Sequence, residues 1–168
     1  MRIAAIVLAA GEASRFGSPK QRILLPRVLE RLRDTSVNEI VLVEGAHELA
    51  GGEARVVHCP EWERGPGASL RCGLAALGAD VEAAVVVLAD GPNLSPQAVE
   101  RVLDDWRARG GIVAASYDGA RGHPLVLGRG DWGAIPDEGL RDREVRLVPC
   151  DDLGTPGDVD VPEDLETL

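Results

Sequence analysis

The chain has 168 residues, a length that suits one domain burying roughly 70% of its unfolded surface. Its net charge of −10 and its 3% of aromatic residues argue against the basic patches and stacking platforms that bind nucleic acid. No apolar run approaches the roughly 20 residues that span a bilayer, so we expect one cytoplasmic domain over residues 1–168, without a membrane partner.

Apolar runs alternate with helical patterns along the chain, an order typical of a parallel sheet with crossover helices. The predicted strands cover residues 3–8, 39–43, 55–58, 83–89, 112–116, 124–127 and 145–148. The predicted helices cover residues 25–33, 68–77 and 95–109. Pro26 is expected near the first turn of the first helix, and Ser95 and Gly110 bound the third. We therefore predict an α/β protein with three layers, α/β/α, around a mostly parallel, Rossmann-like sheet.

The three cysteines, Cys59, Cys72 and Cys150, are scattered along the chain and form no CxxC pair. This usage is typical of a protein in a reducing cytoplasm. We expect neither a disulfide framework nor a zinc site from these cysteines.

A glycine-bearing loop, LAAGEASRFGSPK, follows the first strand and ends at the only lysine of the sequence. Gly11 and Gly17 let backbone amides approach phosphate oxygens, and Arg15 and Lys20 add positive charge. A compact ammonium binds phosphate as a point charge, whereas a guanidinium prefers forked contacts. The spacing matches neither a P-loop nor GxGxxG. The loop therefore predicts phosphate binding of another kind or, alternatively, a surface loop with incidental charges.

Two acidic segments are candidates for binding a divalent metal. Asp90 follows the most apolar predicted strand, where open α/β sheets bind ligands, and a carboxylate there suits Mg²⁺ together with substrate phosphates. Asp158 and Asp160 alternate in GDVDVPEDL, so on an extended segment they project to the same side. The alternatives are a turn-forming aspartate and a solvated acidic segment.

Two further motifs are candidates for ligand contacts. The stretch WERGPGASLRCGL places glycines before a helix that carries Ser69 and Arg71, and a helix start beside a flexible loop suits an anion or a nucleobase edge. The stretch RGHP places Arg121 and His123 beside a proline. Helix capping explains the first motif almost as well, and a lone histidine is more often structural than catalytic.

Taken in order, these motifs resemble the MobA/MocA-like nucleotidyltransferases, which attach a nucleotide to the molybdenum cofactor. The matching segments are LAAGxxSRFGxPK, GxxxSLRxGL, LADxP, GHP and DVDxPEDL, which together span nearly the whole chain. The LAAG form with SRF is more similar to the cytidylyltransferase branch than to the guanylyltransferase branch. The resemblance implies the Rossmann-like sheet of the nucleotidyltransferase type, Mg²⁺ as cofactor, and transfer of CMP from CTP with release of pyrophosphate.

The resemblance also implies roles for individual residues. Contacts to the nucleotide fall on Leu8, Ala9, Ala10, Gly11, Gly67, Ser69 and Arg71, of which the last three lie near the base. The triphosphate is held by Arg15 and Lys20. Asp90 binds the catalytic Mg²⁺, Asp160 is the second metal carboxylate, and His123 lines the acceptor side with no assigned role. The implied catalytic residues are accordingly Arg15, Lys20 and Asp90.

The chain departs from the family pattern in two places that touch the acceptor pocket in relatives. The short hairpin that usually follows the lysine and the LLP of residues 24–26 is missing, and PDEGL at 136–140 replaces a GDxGA-type segment. The implied acceptor is molybdopterin, with a molybdoenzyme as a candidate partner. The residues leave open a sugar phosphate or phospholactate acceptor, a non-catalytic nucleotide-binding partner of a molybdoenzyme, the base preference and the oligomeric state.

Overall fold

Seven strands form one sheet in the computed structural model of the chain, which describes residues 1–10, 20–46, 48–49 and 51–157. The strands are β1 (Arg2–Ala9), β2 (Glu39–Glu44), β3 (Arg55–His58), β4 (Val81–Leu88), β5 (Ile112–Tyr117), β6 (Ala120–Gly128) and β7 (Arg146–Pro149). The α-helices of these described ranges are α1 (Lys20–Arg33), α2 (Pro66–Ala75) and α3 (Pro96–Arg109). None of the described helices is long and apolar enough to cross a membrane.

The strand order is β3-β2-β1-β4-β6-β5-β7. β6 is antiparallel to both of its neighbours, whereas the other strand pairs are parallel. The sheet grows from β1 towards β2 on one side and towards β4 on the other, so the chain connections diverge at the β1/β4 pair. Open α/β sheets bind ligands outside the carboxyl ends of the strands at such a divergence. We call this side of the sheet the carboxyl edge, and the amino end of the antiparallel β6 also lies there.

Two apolar clusters cover the two faces of the sheet, which confirms the predicted α/β/α layering. Ala5 and Val7 of β1 belong to the cluster that α1 and α3 cover, whereas Ile6 belongs to the cluster that α2 covers. This separation follows from the period of two along a strand. Because both faces are covered, the central strands are apolar at nearly every position instead of alternating with polar residues.

The predicted elements are all present, with differences at their ends. The Ser95 hydroxyl caps α3 by accepting a hydrogen bond from the Ala98 amide at 3.3 Å, as predicted. α1 begins at Lys20, five positions earlier than predicted, so Pro26 lies inside the helix and not in its first turn. Leu25 and Val28, on either side of Pro26, are buried in the same cluster as residues of the sheet, so apolar contacts compensate for the amide that proline lacks.

The expectation that no disulfide forms is wrong, because the structure joins Cys59 to Cys72. Cys59 follows β3 and is buried, Cys72 lies on α2, and their Cα atoms are 5.8 Å apart, within the usual range for a disulfide. The packing of α2 beside β2 and β3 brings the two residues together, and no local spacing motif reports such a contact. Cys150 is a buried free thiol.

Reduction of this disulfide is expected to lower the free energy of unfolding by about 2–4 kcal/mol, because the cross-link restricts the unfolded chain. Urea unfolding with and without dithiothreitol measures the change. Cys72→Ser should show the lower stability in both conditions, and Cys150→Ala should keep the sensitivity to reductant. Three reactive thiols in the denatured, unreduced protein would contradict the pairing.

Candidate active site

Three adjoining cavities form a continuous groove along the carboxyl edge. The α2 pocket, of about 330 Å³, lies between the ends of β1 and β4 and the start of α2, with Leu8, Ala10, Ser69 and Asp90 among its lining residues. The central pocket, of about 450 Å³, shares Leu8 and Leu88 with it. The β5 pocket, of about 380 Å³, shares Leu88 and His123 with the central pocket. The groove therefore lies at the β1/β4 divergence, where this topology places ligands.

One wall of the α2 pocket depends on a close contact between a tryptophan and a glycine. A Cβ atom at Gly45 would lie 2.5 Å from Cγ of Trp62 and 2.7 Å from the carbonyl oxygen of Ala10. No real side chain tolerates such distances, so the indole packs directly on the backbone after β2. This packing brings an aromatic surface to the pocket, which suits contact with a planar ring.

The segment 135–140 is bound to the start of α2 by charged and backbone contacts. The Arg71 guanidinium donates to the Ile135 carbonyl and to an Asp137 carboxylate oxygen, each at 2.6 Å. Arg64 donates to the other Asp137 oxygen at 3.3 Å. The hydrogen bond from Arg71, aided by Arg64, lowers the pKa of Asp137 below its ordinary value. We call this set of contacts, Arg64 and Arg71 on Asp137, the arginine clasp.

The backbone of α2 is matched to the same segment. The amide of Gly67 donates to the Asp137 carbonyl at 2.8 Å, and a Cβ atom at Gly67 would overlap the Pro136 carbonyl oxygen. Gly65 has a φ of +135°, a conformation that favours glycine, and its added Cβ would likewise collide with the Asp137 carbonyl. The amide at the start of α2 is thus already used by the protein. Of the three predicted nucleotide contacts in this motif, Gly67, Ser69 and Arg71, only Ser69 is among the residues that line the α2 pocket.

Asp90 stands just beyond β4 on a turn that two neighbouring segments hold in place. The Ala89 amide donates to the Leu8 carbonyl at 3.1 Å, which ties the turn to the end of β1. On the other side, the Asn93 amide donates to the Pro156 carbonyl at 2.9 Å. The described chain ends at Gly157, whose carbonyl oxygen would lie 3.4 Å from a Cβ atom at Gly91. The last described residues therefore pack beside the Asp90 turn.

The donor set of the α2 pocket fits a divalent cation that is shared with a phosphorylated ligand. Asp90 is partly buried, and Glu63 is the other carboxylate that lines this pocket. Within the described ranges, no group of three or more His, Cys, Asp or Glu residues could hold a metal by itself. Mg²⁺ is commonly bound by one or two carboxylates together with substrate phosphates and water, and the carboxylates of this pocket fit that pattern.

His123 lies between the central and β5 pockets and is held by its backbone. Its carbonyl accepts a hydrogen bond from the Tyr117 hydroxyl at 2.8 Å, and the His123–Pro124 peptide bond is cis. Burial lowers the pKa of His123, the positive charge of Arg121 lowers it further, and the negative charge of Asp90 opposes both. The imidazole is therefore neutral at pH 7.

The sequence-predicted site residues divide into three groups in the structure. Leu8, Ala10, Ser69 and Asp90 line the α2 pocket, with Ala9 buried beside them and His123 in the adjoining pockets. The backbone of Gly67 and the side chain of Arg71 are committed to segment 135–140. Lys20 begins α1, and Gly11, Arg15 and Asp160 lie outside the described residues. Their roles in binding and catalysis stay predictions.

Sequence reasoning missed the residues that complete the groove. Trp62 lies within the WERGPGASLRCGL stretch, and Asp137 lies within the PDEGL segment, but neither position carries a sequence signal for its contacts. Arg121 was noted as a cation beside His123, whereas its guanidinium donates to the carbonyls of Leu140 and Arg141 at 3.0 and 2.9 Å. Each of these contacts joins residues that are distant in the chain, so no local pattern could reveal them.

The sequence of residues 5–148 matches the MobA-like NTP transferase domain. The chain belongs to this family. It is therefore an α/β nucleotidyltransferase, as the motifs predict, and its family uses nucleoside triphosphates. No curated protein sequence matches the chain.

Solved structures share the fold of the chain. Rv0371c from Mycobacterium tuberculosis H37Rv is 27% identical with a TM-score of 0.82, over 99% of this chain and 96% of its own. A structure of Rv0371c in complex with manganese is 26% identical with a TM-score of 0.75, over 100% and 98% of the two chains. CMP:2-keto-3-deoxy-manno-octonic acid synthetase complexed with CTP is 13% identical and has a TM-score of 0.78, over 99% of this chain and 96% of its own. At this identity the likeness shows a shared fold alone.

The pKa of His123 gives a prediction for this MobA-like protein that NMR titration can test. The imidazole is expected to titrate below pH 6.5, and Asp90→Asn should lower its pKa further because the opposing negative charge is removed. Since the unfolded chain binds this proton more readily, the contribution of His123 to stability is complete above about pH 6.5 and is lost as pH falls through the lower, folded pKa. A His123 pKa at or above 6.5 would show that the imidazole is not desolvated.

Proposed function

We propose that this enzyme transfers CMP from CTP to a phosphorylated acceptor, with Mg²⁺ as cofactor and pyrophosphate as the second product. The observation that carries the proposal is the convergence of Leu8, Ala10, Ser69 and Asp90 on one pocket at the β1/β4 divergence. A CTP-bound enzyme of the same fold and a manganese-bound relative support the choice of nucleotide and of a divalent metal. Family membership favours an enzyme over a non-catalytic partner of a molybdoenzyme.

The α2 pocket supplies a place for the nucleoside. Trp62 offers an aromatic surface, Ser69 offers a hydroxyl, and the backbone at the end of β1 lies close to both. The amide at the start of α2 is bound to the Asp137 carbonyl, so this helix is less suited to hold a phosphate. The triphosphate is therefore assigned to the glycine-bearing loop after β1, with Arg15 and Lys20 as its cations.

Asp90 is proposed to hold Mg²⁺ beside the α-phosphate, with Asp160 as the second carboxylate. The packing of Pro156 and Gly157 against the Asp90 turn supports this pairing, because the chain approaches the turn three residues before Asp160. When bound, the metal would offset the negative charge of the phosphates and of the leaving pyrophosphate. Asp90 would thus orient the α-phosphate for in-line attack, and no covalent nucleophile from the protein is needed.

In the proposed reaction an acceptor phosphate oxygen forms a bond to the α-phosphorus of CTP, and the bond from that phosphorus to the bridging oxygen breaks. The electron pair leaves with pyrophosphate, which Lys20 and Arg15 would stabilise by charge. His123 is placed on the acceptor side, since it lines the central and β5 pockets and is absent from the lining of the α2 pocket. Molybdopterin is the favoured acceptor, and residues 1–168 are proposed to form a single nucleotidyltransferase domain.

Asp90→Asn is expected to lower CTP-dependent pyrophosphate release by about a hundredfold or more, because it removes the carboxylate charge that holds the metal while keeping the side-chain size. Asp34→Asn is the matched control, since Asp34 is an exposed aspartate just after α1. Cooperative unfolding of both variants, at the same denaturant midpoint as the wild type, would show that the fold is kept. Undiminished turnover by Asp90→Asn would refute the assignment of the metal to this residue.

Lys20→Arg is expected to reduce turnover by about tenfold, because a forked guanidinium cannot replace a compact ammonium at a point-charge contact. Arg27→Lys, an exchange at an exposed position of α1, serves as control and should leave turnover unchanged. Thermal shifts with CTP, GTP, ATP and UTP, each with and without Mg²⁺, test the nucleotide separately. Magnesium-dependent stabilisation by a nucleotide other than CTP would overturn the cytidylyltransferase assignment.

A further inference from the structure

The central pocket has apolar walls and a small number of polar and charged side chains. Leu8, Leu70, Val86, Leu88 and Leu125 supply aliphatic surface from β1, α2, β4 and β6. The polar side chains that line this pocket come from Arg121, His123, Glu138 and Arg141. A pocket of about 450 Å³ with this lining is large enough for a small molecule that has an apolar or aromatic body and few polar groups.

Of these polar groups, Arg141 carries the positive charge that remains available for a ligand. The Arg121 guanidinium already donates to the Leu140 and Arg141 carbonyls, and burial keeps His123 neutral at pH 7. Arg141 is exposed, and its guanidinium has no ion pair or hydrogen bond with any residue in the described ranges. Glu138 is also exposed, lies three residues earlier on the same segment, and opposes the binding of an anion.

Segment 135–140 is held from two sides, so Arg141, which follows it directly, does not lie on a loose loop. The arginine clasp binds Asp137 to α2, and Arg121 at the start of β6 binds the backbone at Leu140 and Arg141. Arg143 extends the support, because its backbone amide donates a hydrogen bond to the Leu140 carbonyl at 3.0 Å. A backbone ordered before binding reduces the conformational entropy that is lost when a ligand contacts this arginine.

The relative position of the pockets defines which part of a ligand Arg141 can reach. Arg141 lines the central pocket but is absent from the lining of the α2 pocket, where Asp90 lies. Leu8, Pro66 and Leu88 line both pockets and form the passage between them. A molecule that fills the central pocket would thus direct one part past these residues towards Asp90 while another part contacts Arg141.

We infer that Arg141 determines acceptor specificity by binding a second anionic group of the acceptor, apart from its reacting phosphate, while the apolar walls contact an apolar or aromatic body. This inference rests on the proposed function for the identity of the central pocket as the acceptor site. It defines an acceptor class with two anionic groups. Sugar phosphates whose remaining surface is hydroxylated and uncharged fall outside this class.

Two fluorescent probes of similar shape test the inference without knowledge of the acceptor. 8-Anilinonaphthalene-1-sulfonate is an anion with an aromatic body, and N-phenyl-1-naphthylamine is its uncharged counterpart. Arg141→Gln is expected to raise the dissociation constant of the sulfonate by about threefold to tenfold, the scale of one charged contact near the surface, and to leave that of the amine unchanged. Glu138→Gln is expected to lower the dissociation constant of the sulfonate.

Two control variants separate charge from structure. Leu140→Ala should weaken both probes, because Leu140 lines the same pocket, and Arg27→Gln should change neither. An unchanged sulfonate affinity in Arg141→Gln, an equal loss for both probes, or no binding of the sulfonate to the wild type would overturn the inference. Stabilisation by CTP is measured on the same proteins, and its absence in the wild type would refute the proposed function while the probe result stands by itself.

Discussion

The contact between Arg71 and Asp137 is the interaction on which the geometry of the groove depends. It joins α2 to a segment more than sixty residues later in the chain, and that segment then walls the central pocket. The two glycines at the start of α2 permit this approach, since a Cβ atom at either Gly65 or Gly67 would collide with the backbone of the segment. The α2 pocket and the central pocket therefore share one structural support.

The topology of the sheet explains why the groove lies where it does. The chain connections diverge at the β1/β4 pair towards opposite halves of the sheet. The antiparallel β6 has its amino end at the carboxyl edge, beside this pair. A fully parallel sheet would place the start of β6 at the opposite edge, away from Asp90. The single reversal thus adds Arg121 and His123 to a site that β1 and β4 alone would leave open on that side.

The sequence predicts the layers well because burial on both faces makes β1 and β4 apolar at nearly every position. The helix α3 is predicted from its capping serine and from the spacing of its buried apolar residues. It also predicts Asp90 at the carboxyl end of a central strand, and in the structure Asp90 lines the α2 pocket together with Ser69. It could not reveal the Cys59–Cys72 pair or the use of Arg71 by Asp137, because each depends on how α2 packs against another element. Contacts between residues that are distant in the chain produce no periodic pattern in the sequence from which they could be predicted.

The charge balance gives a physical reason for the solitary lysine. Several arginines of this acidic protein make structural contacts. Arg71 and Arg121 donate hydrogen bonds to carbonyls, and Arg146 donates to Asp105 and to the Gly110 carbonyl. Arg101 forms a bidentate ion pair with Asp152. Forked donors suit such contacts because they join two acceptors at once. A phosphate site needs a cation that the 28 acidic residues and the carbonyls of the chain do not engage first, and an ammonium, which lacks the fork, is less suited than a guanidinium to join two such acceptors. Selective use of lysine at position 20 is consistent with that requirement.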